Sequence, residues 1–259
     1  MTPSAQPQLD RQAAFWDARA ADYPDPRDAE LLAQQQRRMS HVPAPARPAP
    51  GLRLLDVGTG TGALALHALA QHARVTALDI SGAMLRRLGQ AAGAATIELR
   101  QADWRTLDVD GLGWRRAFDR VYAQMMPSFR EAADFARFEA CSRGWCVFIG
   151  WGRERHDAWL QAAFAAHGVP WEVPAGVPLA AAQLQTLGRQ PVPVYWRETW
   201  QRRRTLEQAM ADACDHLQVR GATPDPQWLR ELRGRPDAAA LVQDCCEVEI
   251  GLLAWPAPA

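Results

Sequence analysis

Three glycines at alternate positions, bracketed by carboxylates, are the residues of this chain best placed to do chemistry. They lie in Leu54-Leu55-Asp56-Val57-Gly58-Thr59-Gly60-Thr61-Gly62, where a short apolar run gives way to an alanine-rich one. Glycines so spaced let the backbone turn sharply and admit a ligand where a Cβ would stand. The helix expected after them offers free N–H groups and a partial positive charge, which suit a carboxylate or phosphate. Asp79 ends the next apolar run, and a carboxylate there can accept from both hydroxyls of a ribose. Asp103 follows the third run in Gln101-Ala102-Asp103-Trp104; its carboxylate could take an adenine amino group, with Trp104 flanking the base.

A glycine-rich loop alone also suits a dinucleotide. Two details separate the readings. The spacing is G-x-G-x-G rather than G-x-G-x-x-G, and Asp56 stands two residues before the first glycine. A carboxylate there would repel a pyrophosphate but can accept from an ammonium. A ligand with an ammonium, a carboxylate, a ribose and an adenine fits these anchors best. S-adenosylmethionine carries all four, and titrating it beside NAD would exclude a nucleotide-dependent oxidoreductase.

Positioning such a row requires strands alternating with helices. Strands are predicted at Leu52 to Val57, Arg74 to Ile80, Thr96 to Gln101, Phe118 to Ala123 and Trp145 to Gly150. Helices are predicted at Thr61 to Gln71, after a Ser81 cap with Met84, Leu85 and Leu88 as its apolar stripe, and around Arg130 to Ala140. This alternation implies a parallel sheet whose carboxyl ends form the ligand crevice. Ahead of it, Phe15, Trp16, Ala20 and Tyr23 share a helical face, and a second helix is expected from Asp28 to Met39 with Leu31 and Leu32 inward. The proline-rich stretch His41 to Gly51 reads as an extended, stiff linker. Beyond Gly150, helices are expected at Arg155 to Ala166, Leu179 to Leu187 and Leu206 to Leu217, with more helix to about Leu241. Strands are expected at Val192 to Gln201 and Cys246 to Trp255, and Val169 to Val177 reads as a loop.

Asp56 to Gly62 resembles the first motif of class I S-adenosylmethionine-dependent methyltransferases, in their small-molecule branch. Asp79 is similar to their ribose-binding acid, and Asp103-Trp104 to their adenine-contacting pair. Phe118-Asp119-Arg120-Val121-Tyr122-Ala123-Gln124 resembles the fourth-strand motif, whose end lies by the methionine moiety. Phe15 to Tyr23 resembles the W-x-x-R-A-x-x-Y cap of such enzymes, whose tyrosine closes over the cofactor. The resemblance implies an α/β fold: a doubly wound, mostly parallel seven-stranded Rossmann-like sheet ending in an antiparallel strand, for which Glu247 to Ala254 would serve. It implies a helical cap and linker over 1–50, a cofactor-binding domain over 51–259, and an insertion after strand 5 at about 152–190. Its cofactor would be S-adenosylmethionine, held by Tyr23, Asp56, Gly58, Thr59, Gly60, Thr61, Gly62, Asp79, Ile80, Met84, Asp103, Trp104 and Gln124. A small-molecule methyl acceptor is expected, with a non-catalytic cofactor-binding subunit as the alternative. The stretch Ala123-Gln124-Met125-Met126-Pro127 lacks the acid or amide, paired prolines and aromatic that hold exocyclic amines of DNA bases, so DNA is not an expected partner.

The chain has 259 residues and a formal net charge of zero, so no global field would gather nucleic acid or an anionic membrane. All 29 basic residues are arginine, which reads as a coding bias. The five cysteines lack the spacing of a disulfide framework; with no signal-peptide core or apolar span, a cytoplasmic location is expected. Cys245-Cys246 would face opposite sides of a strand, Cys141 and Cys146 lack ligand spacing, the six histidines form no H-x-x-x-H pattern, and no metal is expected. Arg153, Arg155 and His156 read as a solvated turn at the start of a helix, and most of the 11 tryptophans as core. No catalytic base is assigned. A sulfonium methyl is already activated, so alignment and exclusion of water can supply much of the rate.

Overall fold

The computed structural model describes residues 6–234, 237 and 239–258. It contains α1 (Gln6–Arg19), α2 (Ala29–His41), β1 (Arg53–Val57), α3 (Ala63–Ala70), β2 (Arg74–Asp79), α4 (Gly82–Ala92) and β3 (Ile97–Gln101). There follow β4 (Phe118–Gln124), α5 (Ala132–Cys141), β5 (Ser142–Asp157), α6 (Ala158–Ala166), α7 (Val177–Thr186), β6 (Val194–Thr205), α8 (Leu206–Val219), α9 (Pro226–Arg233) and β7 (Leu241–Pro256). The seven strands form one sheet in the order β3-β2-β1-β4-β5-β7-β6, a mostly parallel Rossmann-like arrangement. β1 lies between β2 and β4, with Val57 level with Leu78 on one side and Ala123 on the other. The chain reverses its direction of winding between β3 and β4, and ligands of open α/β sheets bind at that switch.

Local chemistry explains these elements. Leu54, Leu55 and Val57 are buried on both faces of β1, as a strand covered by helices on both sides requires. Asp28 caps α2 by accepting from the N–H groups of Glu30 and Leu31, and the Ser81 hydroxyl caps α4 through Met84 N at 3.1 Å. Met84, Leu85 and Leu88 form the buried stripe of α4.

Contact clustering separates two compact units. The first comprises Met1–Gly150, Ala175–Val194 and Gly251–Ala259; the second comprises Trp151–Pro174 and Tyr195–Ile250. The first holds β1 to β4 and the glycine loop. The second has its own core, in which Leu160, Phe164, Met210, Leu217 and Leu229 pack together. There Asp244 accepts from Arg204 Nε at 2.6 Å and from the Arg233 guanidinium, with all three side chains largely buried.

Several sequence expectations change. Residues 41–51 are not an extended spacer. Ala44–Ala46 form a 3₁₀ turn, Val42 and Ala46 are buried, and the Tyr122 hydroxyl donates to Ala46 O at 2.7 Å. The prolines fix a turn that docks because the Ala46 carbonyl finds a partner on the sheet. Leu32 is exposed, and Gln35, Arg38 and Met39 form the buried face of α2 instead. β5 runs seven residues past Gly150, so Arg153, Arg155 and His156 lie on a strand rather than at a helix start. Arg155 sits between the rings of Trp151 and Trp171, 5.1 Å from each centroid. The Trp196 and Trp200 indoles both donate to the Glu198 carboxylate, at 3.0 and 2.8 Å, within the second unit. Cys245 is exposed and Cys246 buried, as alternation along β7 demands. The helix expected up to about Leu241 ends at Arg233, and its further reach over 235, 236 and 238 lies outside the described residues. Among the described residues no helix is long and apolar enough to cross a membrane.

Candidate functional site

Gly58, Gly60 and Gly62 all have positive φ, at 71°, 56° and 98°, so the loop uses the left-handed freedom of glycine at each. Their surroundings differ. A Cβ on Gly58 would stand 2.0 Å from the Met126 sulfur, and one on Gly62 would stand 2.2 Å from a Leu88 methyl. A Cβ on Gly60 would meet nothing within 4 Å. The outer glycines therefore permit packing, and the middle one presents bare backbone to open space.

The loop is tied to the end of β2. Gly58 N and Thr59 N both donate to Leu78 O, at 2.8 and 3.0 Å. Asp79 accepts from Gly60 N through Oδ2 and from Ser81 N through Oδ1, each at 2.8 Å. An ionised carboxylate has about four acceptor positions, so these bonds do not saturate it. Burial raises the Asp79 carboxyl above the ordinary range, against these hydrogen bonds. Asp56 lies deeper. Its Oδ2 accepts from the Thr59 hydroxyl at 2.7 Å, yet burial, with some repulsion from Asp79, lifts its carboxyl to about 7.

Along the same rim, Asp103 follows β3. It caps a 3₁₀ turn through Arg105 N at 2.8 Å and pairs with the Arg105 guanidinium at 2.7 Å. Trp104 is fully buried, stacked on Phe129 at 5.5 Å and edge-on to Phe138, and its indole N–H has no partner. Ile80 accepts from Gln101 Nε2 at 3.2 Å, and Met84 lies in the buried stripe behind it. Gln124 ends β4, one residue past the partner of Val57 and so level with Gly58. Its Nε2 donates to Gln35 Oε1 of α2 at 2.8 Å.

The N-terminal segment is latched onto this rim. Asp17 accepts from the Ser81 hydroxyl at 2.5 Å and from Ala83 N at 2.9 Å. The Arg87 guanidinium of α4 donates to the carbonyls of Ala20, Tyr23 and Pro24. The buried Thr61 hydroxyl reaches Pro24 O at 3.5 Å. Tyr23 packs edge-on to Trp16 at 6.2 Å and is 38% exposed.

Residues 54–143 match the family described as a methyltransferase domain. That stretch, about a third of the chain, is similar to the domain of S-adenosylmethionine-dependent methyltransferases. S-adenosylmethionine is the cofactor of that class. No curated protein sequence matches the chain. Among solved structures, DhpI in its complex with S-adenosylhomocysteine is similar over 97% of this chain and 98% of its own, with a TM-score of 0.52 and 17% identity. A candidate methyltransferase of Bacillus halodurans C-125 covers 88% of this chain and 99% of its own, with a TM-score of 0.51 and 14% identity. The YcgJ protein of Bacillus subtilis covers 86% and 97%, with a TM-score of 0.50 and 12% identity. At these identities the likeness is one of fold.

The residues present fit such a cofactor. The loop is bare at Gly60, and among the described residues buried polar atoms without partners include the Trp104 indole N–H after β3 and amide atoms of Gln35 on α2 and Gln124 at the end of β4. Sequence reading overlooked Asp17, Arg87 and Gln35. The signal for Gln35 was present: in Gln34-Gln35-Gln36 a polar side chain falls on the same helical face as Met39.

Proposed function

We propose that this chain transfers a methyl group from S-adenosylmethionine to a small-molecule acceptor. The observation that carries this reading is the open backbone at Gly60 immediately beside Asp79, at the switch point of the sheet. The backbone of Gly58, Thr59, Gly60, Thr61 and Gly62 would allow close approach of the amino-acid part. Asp79 would accept from the ribose hydroxyls with its remaining acceptor capacity. Asp103 would take the adenine amino group, with Ile80, Met84 and Trp104 as the apolar surround. Asp56 would accept from the ammonium, and Tyr23 with its neighbours would cover the site.

Bound there, the sulfonium supplies a methyl already activated for displacement. The chain's own contribution would be alignment and the exclusion of water by the latched segment 17–24. No residue is assigned as a general base, since one is needed only where the acceptor must lose a proton first. The absence of a net positive charge favours a small acceptor over a nucleic acid.

The test has two arms. Calorimetry with S-adenosylmethionine and NAD side by side should show binding of the first alone. Incubation with the methyl-labelled cofactor and a metabolite extract should yield a labelled small molecule. Cofactor binding with no labelled product from any extract would favour a binding subunit without transferase activity.

A further inference from the structure

β3 ends the sheet, paired on one side only among the described residues. Glu98, Leu99, Arg100 and Gln101 are exposed along it. Such an edge offers a row of unmet backbone groups to another strand. One bond shows which groups these are. Ala102 N donates to Asp79 O at 3.0 Å, on the β2 side. Backbone groups alternate in direction along a strand, so those of Glu98 and Arg100 also point to β2. Ile97, Leu99 and Gln101 turn their N–H and C=O groups outward.

Side chains alternate as well. Leu99 lies against α4, where a Cβ on Gly89 would stand 3.3 Å from its methyl, and Gln101 on the same face reaches Ile80 O. Glu98 and Arg100 share the other face. Arg100 Nε donates to Glu98 Oε1 at 2.8 Å, and the Thr76 hydroxyl donates to Glu98 Oε2 at 3.0 Å.

Charges on an edge strand commonly keep other strands away. Opposite signs two residues apart do not, when the arriving strand is the same one reversed. Antiparallel pairing of two β3 strands about Leu99 sets Glu98 of each copy opposite Arg100 of the other. The outward backbone groups agree with that register. Leu99 meets its own counterpart as a hydrogen-bonded pair, and Ile97 meets Gln101 in the same way. The charged residues then fall at the intervening pairs, where side chains approach more closely. Centring on Glu98 or on Arg100 would set like charges opposite one another, and so would parallel pairing in register. We propose that the β3 edge is a self-complementary interface, on which a second copy of this chain docks antiparallel across a two-fold axis at Leu99.

Charge reversal tests this. Sedimentation over a concentration series should show the wild type passing from monomer to dimer, less readily as salt rises. Glu98→Arg and Arg100→Glu each set like charges opposite at both symmetry-related pairs, so each alone should weaken the dimer about tenfold or more. Mixed in equal amounts, the two variants restore opposite charges at every pair and should form a heterodimer at least as tight as the wild-type dimer. Site-resolved hydrogen exchange gives a second readout. Dilution of the wild type should speed exchange at the backbone amides of Ile97, Leu99 and Gln101 and leave those of Glu98 and Arg100 unchanged. A wild type that stays monomeric throughout, single reversals that dimerise as before, or a mixture that fails to pair would overturn the proposal. Should Glu98→Arg unfold on losing its Thr76 bond, Arg100→Glu and the exchange pattern still decide. None of these measurements involves the cofactor, so their failure leaves the proposed function standing.

Discussion

Asp79 both supports the loop and offers itself to a ligand, and its substitutions should separate the two. Asp79→Asn keeps an acceptor for one backbone N–H and should weaken S-adenosylhomocysteine by on the order of 1–3 kcal/mol, read by calorimetry. Asp79→Ala strands the N–H groups of both Gly60 and Ser81, so it should also lower the melting temperature. The glycines divide similarly. Gly60→Val meets no neighbour, but a β-branched residue is strained at φ 56°, so it should cost some stability as well as cofactor binding; retained affinity would mean that the loop is only a turn. Gly62→Val runs into Leu88 and should be seen first as lost stability. Asp56 adds a pH dependence. Its carboxyl, held near 7 by burial, must ionise to accept an ammonium, so affinity should rise from about pH 6 to about pH 8 and flatten in Asp56→Asn. Stability of the free protein runs the other way: between the ordinary carboxyl range and 7 the native state holds a proton that the unfolded chain has lost, so this group's contribution falls as pH rises through that window. The acids and glycines were legible because each follows an apolar run and the glycines alternate. The different packing at Gly58, Gly60 and Gly62 was not, since it depends on Met126 and Leu88, which approach from elsewhere in the chain.

Among elements, the short β–α units of the first half were readable because each carries its own signal: an apolar run, a cap, an amphipathic stripe. Ser81 and Met84, Leu85 and Leu88 fixed α4 in this way. Elements defined by what they pack against were not. Residues 41–51 have the composition of a spacer, yet Tyr122 and a buried Ala46 dock them; β5 outruns its apolar stretch because Arg155 finds two indoles and its ladder continues. The latch on the N-terminal segment is of the same kind, formed by α4 reaching carbonyls more than sixty residues earlier in the chain. Arg87→Leu leaves those carbonyls without their donor and should raise hydrogen exchange and protease cleavage across 19–27, with faster release of S-adenosylhomocysteine in stopped-flow measurements. Asp17 is held below the usual carboxylate range, chiefly by the Ser81 hydroxyl and then by Ala83 N–H. Its contribution is present above the unfolded pKa and fades as pH falls through the folded one, so the same exchange signal should grow on acidification. Unchanged protection in Arg87→Leu would mean that the Asp17 bonds and the segment's other contacts hold it without the guanidinium.

For the whole molecule, the division into two units assigns energetic consequences to different parts of the chain. Every residue proposed to touch the cofactor lies in the first unit, whereas Asp244, Arg204 and Arg233 lie in the second. Composition marks that boundary only through tryptophan, six of the 11 falling in the smaller second unit, since both units are arginine-rich and apolar to similar degrees and the second draws its strands from continuations of β5, β6 and β7. A ligand that binds only the native first unit stabilises it by mass action, by about 2.7 kcal/mol at one hundred times its Kd. Removing the Asp244 carboxylate leaves the largely buried Arg233 guanidinium without its carboxylate, while Arg204 keeps Asp212 at 3.1 Å, a loss of up to about 3–5 kcal/mol. Asp244→Ala should therefore lower the unfolding of the second unit. Calorimetric scans with and without S-adenosylhomocysteine then distinguish how far the units depend on each other. If each unfolds on its own, ligand raises one transition and Asp244→Ala lowers the other; if they unfold together, both effects fall on a single transition and offset one another. In either case, a scan in which saturating ligand moves nothing would count against a cofactor site on the first unit.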